Sequence, residues 1–246
     1  LNPNMKAIGV IPARFKSSRY PGKPLADILG KPMIIHVAEK VEQAMGRENV
    51  YVATEDKRIY DVVTGYGYNC VITTDKPLTG TDRVWEVAQL IPADIYINIQ
   101  GDEPVVNPLD IKAVLDEKIK HRQYIINGMC KLNENEDPHD INIPKVLVSS
   151  SNMLLYMSRL AIPGIKDIKV GLPVYRKQVC IYAFTYEELS AFGLKDKKAI
   201  CERYEDIEIL RFLDMGYSIK MVDTHPGSIA VDNPEDVAKV IAYLNK

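Results

Sequence analysis

The chain has 246 residues, enough for one large buried core, and its 46% hydrophobic and 26% charged content is that of a folded globular protein rather than a disordered one. A formal net charge of −2 supplies no broad basic surface, which disfavours wholesale nucleic-acid binding but leaves room for a local cationic pocket. The four cysteines (Cys70, Cys130, Cys180, Cys201) stand far apart, with no pair at metal-ligand spacing, as in a reduced cytoplasmic protein. No apolar run reaches membrane-spanning length, and the apolar stretch after Lys6 is cut at once by Arg14 and Lys16, unlike a signal peptide. Leu1 to Asn4, ahead of Met5, read as a remnant before the natural start.

The first half alternates strand-like and helix-like segments. Ala7 to Pro12 (AIGVIP) has a buried-strand pattern, and Pro32 to Ala44 carries Met33, Ile34, Val37 and Val41 at helical spacing behind a proline. Asn49 to Thr54 is a second strand, Lys57 to Tyr66 a second helix and Asn69 to Thr73 a third strand. Thr81 to Ile91 is a third helix and Asp94 to Ile99 (DIYINI) a fourth strand. This rhythm predicts an α/β fold with a mostly parallel sheet and right-handed crossovers, whose ligands sit at the carboxyl ends of the strands. The loops after Pro12 and Ile99 are thereby brought together. The second half is less regular: Val146 to Val148 and Val179 to Phe184 read as strands, and Tyr204 to Met215 and Pro234 to Leu244 as helices. One domain over 5–246 is expected, with an inserted small sheet region at roughly 124–185 that covers the pocket or forms a dimer surface.

Three segments carry chemistry. PARFKSSRYPGKPL, from Pro12 to Leu25, puts Arg14, Lys16, Arg19 and Lys23 around Ser17, Ser18 and Gly22, a cationic glycine-containing loop suited to a triphosphate. It has neither Walker A spacing nor the GxGxxG of dinucleotide binders, and a solvated basic turn is its plain alternative. QGDEP, from Gln100 to Pro104, offers Asp102 at a strand's carboxyl end as a Mg²⁺ ligand, or simply makes a β-turn. In DNPED, from Asp232 to Asp236, Asn233 and Pro234 read as N-cap and first residue of a helix, which explains Glu235 and Asp236. Asp232 lies outside that explanation and is a candidate second carboxylate for the metal. No side chain stands out as a general base: His36 reads as a packed or surface residue, and His121 and His225 as loop or helix-end residues. Glu202, Glu205 and Glu208 recur every third residue along one helix side, with Arg211 as an i,i+3 partner.

Together these segments resemble the 3-deoxy-manno-octulosonate cytidylyltransferases (CMP-Kdo synthetases). The resemblance runs from IPARFKSSRYPGKPLADILGKPMIIHV through TGTDRVWE (79–86), INIQGDEP (97–104), YMSRLAIP (156–163) and ERYEDIEILR (202–211) to VDNPED (231–236). It implies a nucleotide-diphospho-sugar transferase, Rossmann-like fold, a homodimer, and transfer of CMP from CTP to an acidic octulosonate, which supplies activated sugar for lipopolysaccharide or capsule. It implies Arg14, Arg19 and Lys23 as the triphosphate clamp, Ala13 and Gln100 facing the nucleotide, and Asp102 and Asp232 as Mg²⁺ carboxylates, so that Asp102, Asp232, Lys23 and Arg19 carry catalysis. It implies Arg83, Gln100, Arg159, Glu205 and Glu208 as sugar contacts or their support, with Arg159 or Arg83 matching the sugar carboxylate. The departures fall in the sugar half. Gln178 to Phe184 (QVCIYAF) stands where the family has HLGIYGY, Asp82 where it has Glu in SGTER, and Gly164 where it has tryptophan. The Asp of GTDR and the PVY before Arg176 resemble an 8-amino branch. A nine-carbon ulosonate cytidylyltransferase and a non-catalytic nucleotide-binding homologue are the rival readings.

Overall fold

The structure is a computed structural model that describes residues 5–17 and 19–245; Ser18 and the Leu1–Asn4 stretch lie outside the described residues. In chain order the elements are β1 (Ala7–Pro12), the short pair β2 (Asp27–Ile28) and β3 (Lys31–Pro32), α1 (Met33–Met45), β4 (Val50–Thr54), α2 (Lys57–Gly65) and β5 (Asn69–Ile72). Then come α3 (Gly80–Leu90), β6 (Ile95–Ile99), α4 (Pro108–Lys120), β7 (Ile125–Lys131), β8 (Lys145–Val148), β9 (Leu154–Ser158) and β10 (Arg176–Phe184). The chain closes with α5 (Tyr186–Gly193), α6 (Ile200–Glu205), α7 (Ile209–Asp214), β11 (Ile219–Asp223) and α8 (Asp236–Leu244).

Seven strands form the main sheet in the order β11-β7-β10-β6-β1-β4-β5. β1 pairs in parallel with β4 and β6, β4 with β5, and β7 with β11, while β10 runs antiparallel to both β6 and β7. Strand alternation builds a core on each face, because successive side chains point to opposite sides. Ile8, Val10, Tyr96, Tyr182 and Phe184 pack with Phe192 and Phe212 on one face. Ile11, Val52, Ile97, Ile99, Ile181 and Ala183 pack with Ile34, Val37 and Val41 of α1 on the other. Local chemistry starts the helices: the side chains of Asp56, Thr79 and Asn107 each accept a backbone N–H of the first turn of α2, α3 and α4. Thr185 and Glu188 close a reciprocal capping box on α5.

The mostly parallel sheet flanked by helices is the architecture expected, and the four strands and three helices of the first half fall within a residue or two of their expected places. In the region 124–185, β7 and β10 are members of the main sheet, and β8 and β9 form a small antiparallel extension hung on β10. Two expected helices need correction. The stretch Tyr204–Met215 is interrupted: Asp206 adopts a left-handed conformation (φ 50°), ending α6, and α7 starts afresh at Ile209. Glu208 therefore lies off the helix that carries Glu202 and Glu205, and the three form no single stripe. The last helix begins at Asp236 rather than at Pro234, and Asn233 is not its N-cap. Instead the Asp236 carboxylate reaches back to accept the N–H groups of Asp232 (3.1 Å) and Asn233 (3.0 Å).

Candidate active site

β1 and β6 lie side by side in parallel, so their carboxyl ends deliver the PARFKSSRYPGKPL loop and the QGDEP turn to one place. The two approach so closely that a Cβ on Gly101 would stand 2.7 Å from the Pro12 carbonyl oxygen, which excludes any larger residue there without displacement. Gly22 turns the first loop back with φ 72°, against the ring of Phe15, and sends Lys23 inward. Between the loops opens a cavity of about 780 Å³, whose wall includes Ala13, Arg14, Arg19, Lys23, Gln100, Asp102 and Asp232.

The centre of the arrangement is the Lys23 ammonium. It donates to Asp102 Oδ2 at 2.9 Å and to the Val231 carbonyl at 2.7 Å, and stands 4.0 Å from Asp232 Oδ1. Arg19 holds the same Asp232 oxygen at 3.0 Å. The Val231 N–H donates to the Asp102 carbonyl at 2.9 Å, tying the segment that carries Asp232 onto the QGDEP turn. Next to this, Glu103 is buried, accepts the Ser228 hydroxyl at 2.5 Å, and burial pushes its carboxyl up to about 7. Two carboxylates from stretches 130 positions apart in sequence thus meet one cation in a cavity that opens to solvent.

This donor set suits a hard, water-keeping cation. Among the described residues no three His, Cys, Asp or Glu side chains gather to enclose a metal. Two aspartates with partly exposed side chains are oxygen donors of the kind that an ion such as Mg²⁺ takes alongside water.

The predicted sugar-side residues divide. Gln100 Nε2 donates to Glu208 Oε1 (2.9 Å), and Glu208 Oε2 accepts the Thr81 N–H (2.9 Å), so Glu208 braces the cavity floor while burial raises its carboxyl above the ordinary range. Glu205 is not part of the cavity wall; it accepts Ser158 Oγ (2.7 Å) and the Arg159 N–H (2.8 Å). Both arginines expected at the sugar carboxylate are on the wall but committed elsewhere. Arg83 is 5% exposed, pairs with Glu55 at 3.2 Å and donates to Thr73 Oγ1 and the Thr74 carbonyl. Arg159 donates to the carbonyls of Glu205, Ile141 (2.9 Å) and Asp206 (3.1 Å). Arg14, exposed and on the wall, makes no ion pair among the described residues. Arg211 is buried between Asp82 (2.7 Å) and Glu202 (2.7 Å), and its only link to Glu208 is a backbone hydrogen bond.

Sequence reasoning missed several wall residues. Gln178 is held by Asn127, whose amide also bonds the Val179 and Ile181 carbonyls inside a bulge of β10. Lys177 pairs with Glu136, and His225 is joined to Asp110 at 2.7 Å. Gln178 lies in the stretch that departs from the family's HLGIYGY, though no side-chain role was read for it; Lys177 and His225 have no local motif, and long-range pairing brings them to the cavity.

The family model described as "Cytidylyltransferase" matches residues 8–220. A 3-deoxy-manno-octulosonate cytidylyltransferase of Syntrophobacter fumaroxidans is 38% identical over 98% of this chain and 97% of its own length. An 8-amino-3,8-dideoxy-manno-octulosonate cytidylyltransferase of Shewanella baltica is 39% identical over 94% of this chain and 95% of its own. A solved structure of CMP:2-keto-3-deoxy-manno-octonic acid synthetase complexed with CTP superposes with a TM-score of 0.90 at 36% identity, covering 98% of both chains. With the motifs, the sheet order and the paired carboxylates all in place, the chain belongs to the 3-deoxy-manno-octulosonate cytidylyltransferase family.

Proposed function

We propose that this protein transfers CMP from CTP to the anomeric hydroxyl of 3-deoxy-manno-octulosonate or its 8-amino analogue, releasing pyrophosphate. The observation that carries the reading is the meeting of Asp102 and Asp232 at the Lys23 ammonium, above the adjoining ends of β1 and β6. Arg14, Arg19 and Lys23 neutralise the triphosphate, while the buried Ala13 and its neighbouring backbone leave room for the nucleoside. Gln100, held by Glu208, faces the sugar, with Arg159 and Glu205 bracing that wall, while Arg83 is tied to Glu55 and Thr73 beyond the ends of β4 and β5.

The reaction is an in-line displacement at the α-phosphorus, in which the anomeric oxygen attacks and pyrophosphate leaves. Such a step asks for alignment and charge neutralisation rather than covalent help. Asp102 and Asp232 would hold Mg²⁺, which when bound supplies charge neutralisation at the α-phosphate and favours ionisation of the attacking hydroxyl. Lys23 and Arg19 offset the charge that develops on the departing pyrophosphate.

The protein works as a homodimer in this reading, through the region of β9 and the stretch that follows it, where Leu155, Leu160, Val170, Leu172 and Val174 are each more than half exposed. Its four cysteines are unpaired, in keeping with the cytoplasm, and no helix among the described residues is long and apolar enough to cross a membrane. The test is pyrophosphate release with each of four nucleoside triphosphates against 3-deoxy-manno-octulosonate, its 8-amino analogue and a nine-carbon ulosonate. CTP with an octulosonate should be the productive pair; turnover of the nonulosonate alone would overturn the sugar assignment.

A further inference from the structure

One side chain on the cavity wall has a fixed orientation and no task in the chemistry above. His225 lies two residues past β11, at the carboxyl end of the sheet. Its ring Nδ1 stands 2.7 Å from Asp110 Oδ1, and its backbone N–H donates to the same oxygen at 3.0 Å. Asp110 is only 4% exposed, held in the first turn of α4. A carboxylate accepts and does not donate, so Nδ1 carries the proton in this contact and Nε2 is left as the free nitrogen. The His225 side chain is 63% exposed, and Nε2 has no hydrogen-bond partner among the described residues. A buried carboxylate thus holds His225 at one ring nitrogen and at its backbone, on the cavity wall, and leaves the other ring nitrogen without a protein partner.

The sheet order says what that nitrogen would meet. The phosphate loops sit on the central strands β1 and β6, and β10, β7 and β11 continue the sheet on one flank only. That flank is lined by Lys177 and Gln178 of β10, Cys130 of β7, Glu136 and Asn142, with His225 at its outer end. A polyhydroxylated acid attacking a phosphorus held at β1 and β6 finds polar partners there. We propose that His225, oriented by Asp110, is a specificity-determining residue for the acceptor sugar, with Nε2 accepting a hydrogen bond from a hydroxyl or ammonium on the sugar's side chain. This rests on the octulosonate reading.

The test uses the full chain with Mg²⁺, CTP and whichever octulosonate the wild type turns over, and compares His225→Ala with His225→Gln. Alanine should raise the sugar KM on the order of 10-fold, the effect of losing one hydrogen bond, with the CTP KM and the thermal midpoint unchanged. Glutamine, whose amide oxygen can accept in place of Nε2, should recover part of that loss. An unchanged sugar KM in both variants, or equal rises in the sugar and CTP KM, would overturn the assignment. A wild type inactive with every octulosonate would instead sink the reaction itself and this inference with it.

Discussion

Lys23 holds two carboxylates that, without a cation near, would repel each other, and this makes the residue scale decisive for activity. Asp102→Ala removes one of the two oxygen donors proposed for Mg²⁺ and should lower CMP transfer by more than about 10²-fold, the minimum for losing such charge stabilisation. Turnover near wild type at saturating Mg²⁺ and CTP would end the metal role. Lys23→Ala should impair CTP handling while leaving the sugar KM nearly unchanged, read from separate titrations of the two substrates. Glu208 supports a prediction of another kind. Burial holds its carboxyl above the ordinary value near 4.5, so the folded state keeps a proton that the unfolded chain gives up earlier. Its contribution to stability is whole below the ordinary value and is lost as the pH rises through the folded one. Glu208→Gln, neutral at every pH, should lose that decline: relative to wild type, its thermal midpoint should improve steadily as the pH increases. Parallel midpoint curves would show that Glu208 titrates ordinarily.

At the scale of elements, the junction of α6 and α7 shows where periodicity misleads. Three glutamates at spacing three suggest one solvated stripe, yet the chain turns left-handed at Asp206, which takes Glu208 off the helix that carries Glu202 and Glu205, and each of the three finds a different partner. Glu202 goes into the core to Arg211, Glu205 to the Ser158 hydroxyl and the Arg159 N–H, and Glu208 to Thr81 and Gln100. A spacing pattern counts residues along one axis and carries no sign of a backbone break, which here is stabilised by tertiary partners. Arg211 is the strongest of these partners: 1% exposed, it lies between Asp82 of α3 and Glu202 of α6 and sits over the Phe192 ring at 3.7 Å. Arg211→Met would leave two buried carboxylates without their cation and should cost about 3–5 kcal/mol, measured by urea unfolding. A loss below about 1 kcal/mol, the worth of an exposed pair, would show that water reaches the triad.

Across the whole molecule, what was legible is what local chemistry encodes. The alternation of β1, α1, β4, α2, β5, α3 and β6 follows from apolar periodicity and capping residues, and with it the placing of both loops at one sheet edge. On the β10–β7–β11 side the family resemblance marked the Gln178–Phe184 stretch, but the roles of Gln178, Lys177 and His225 were not legible, because their side chains are set by pairings 41 to 115 positions distant. The exposed apolar residues raise a matching question. Val170 is 81% exposed and Leu172 78%, and they stand with Leu160 and Val174 on the stretch between β9 and β10. Scattered exposed leucines need no explanation, but four exposed apolar residues fall within fifteen positions here, and Val170 and Leu172 line one shallow pocket with Ile165 and Pro173. If a second copy covers this stretch, sedimentation at micromolar concentration should give twice the chain mass, and Val170→Asp with Leu172→Asp should return the mass of one chain. The charge pair would be placed at a buried centre, where an unpaired carboxylate is costly, whereas on a free surface it would be nearly neutral. A wild type that sediments as a single chain, or a double variant that stays dimeric, would locate the contact elsewhere.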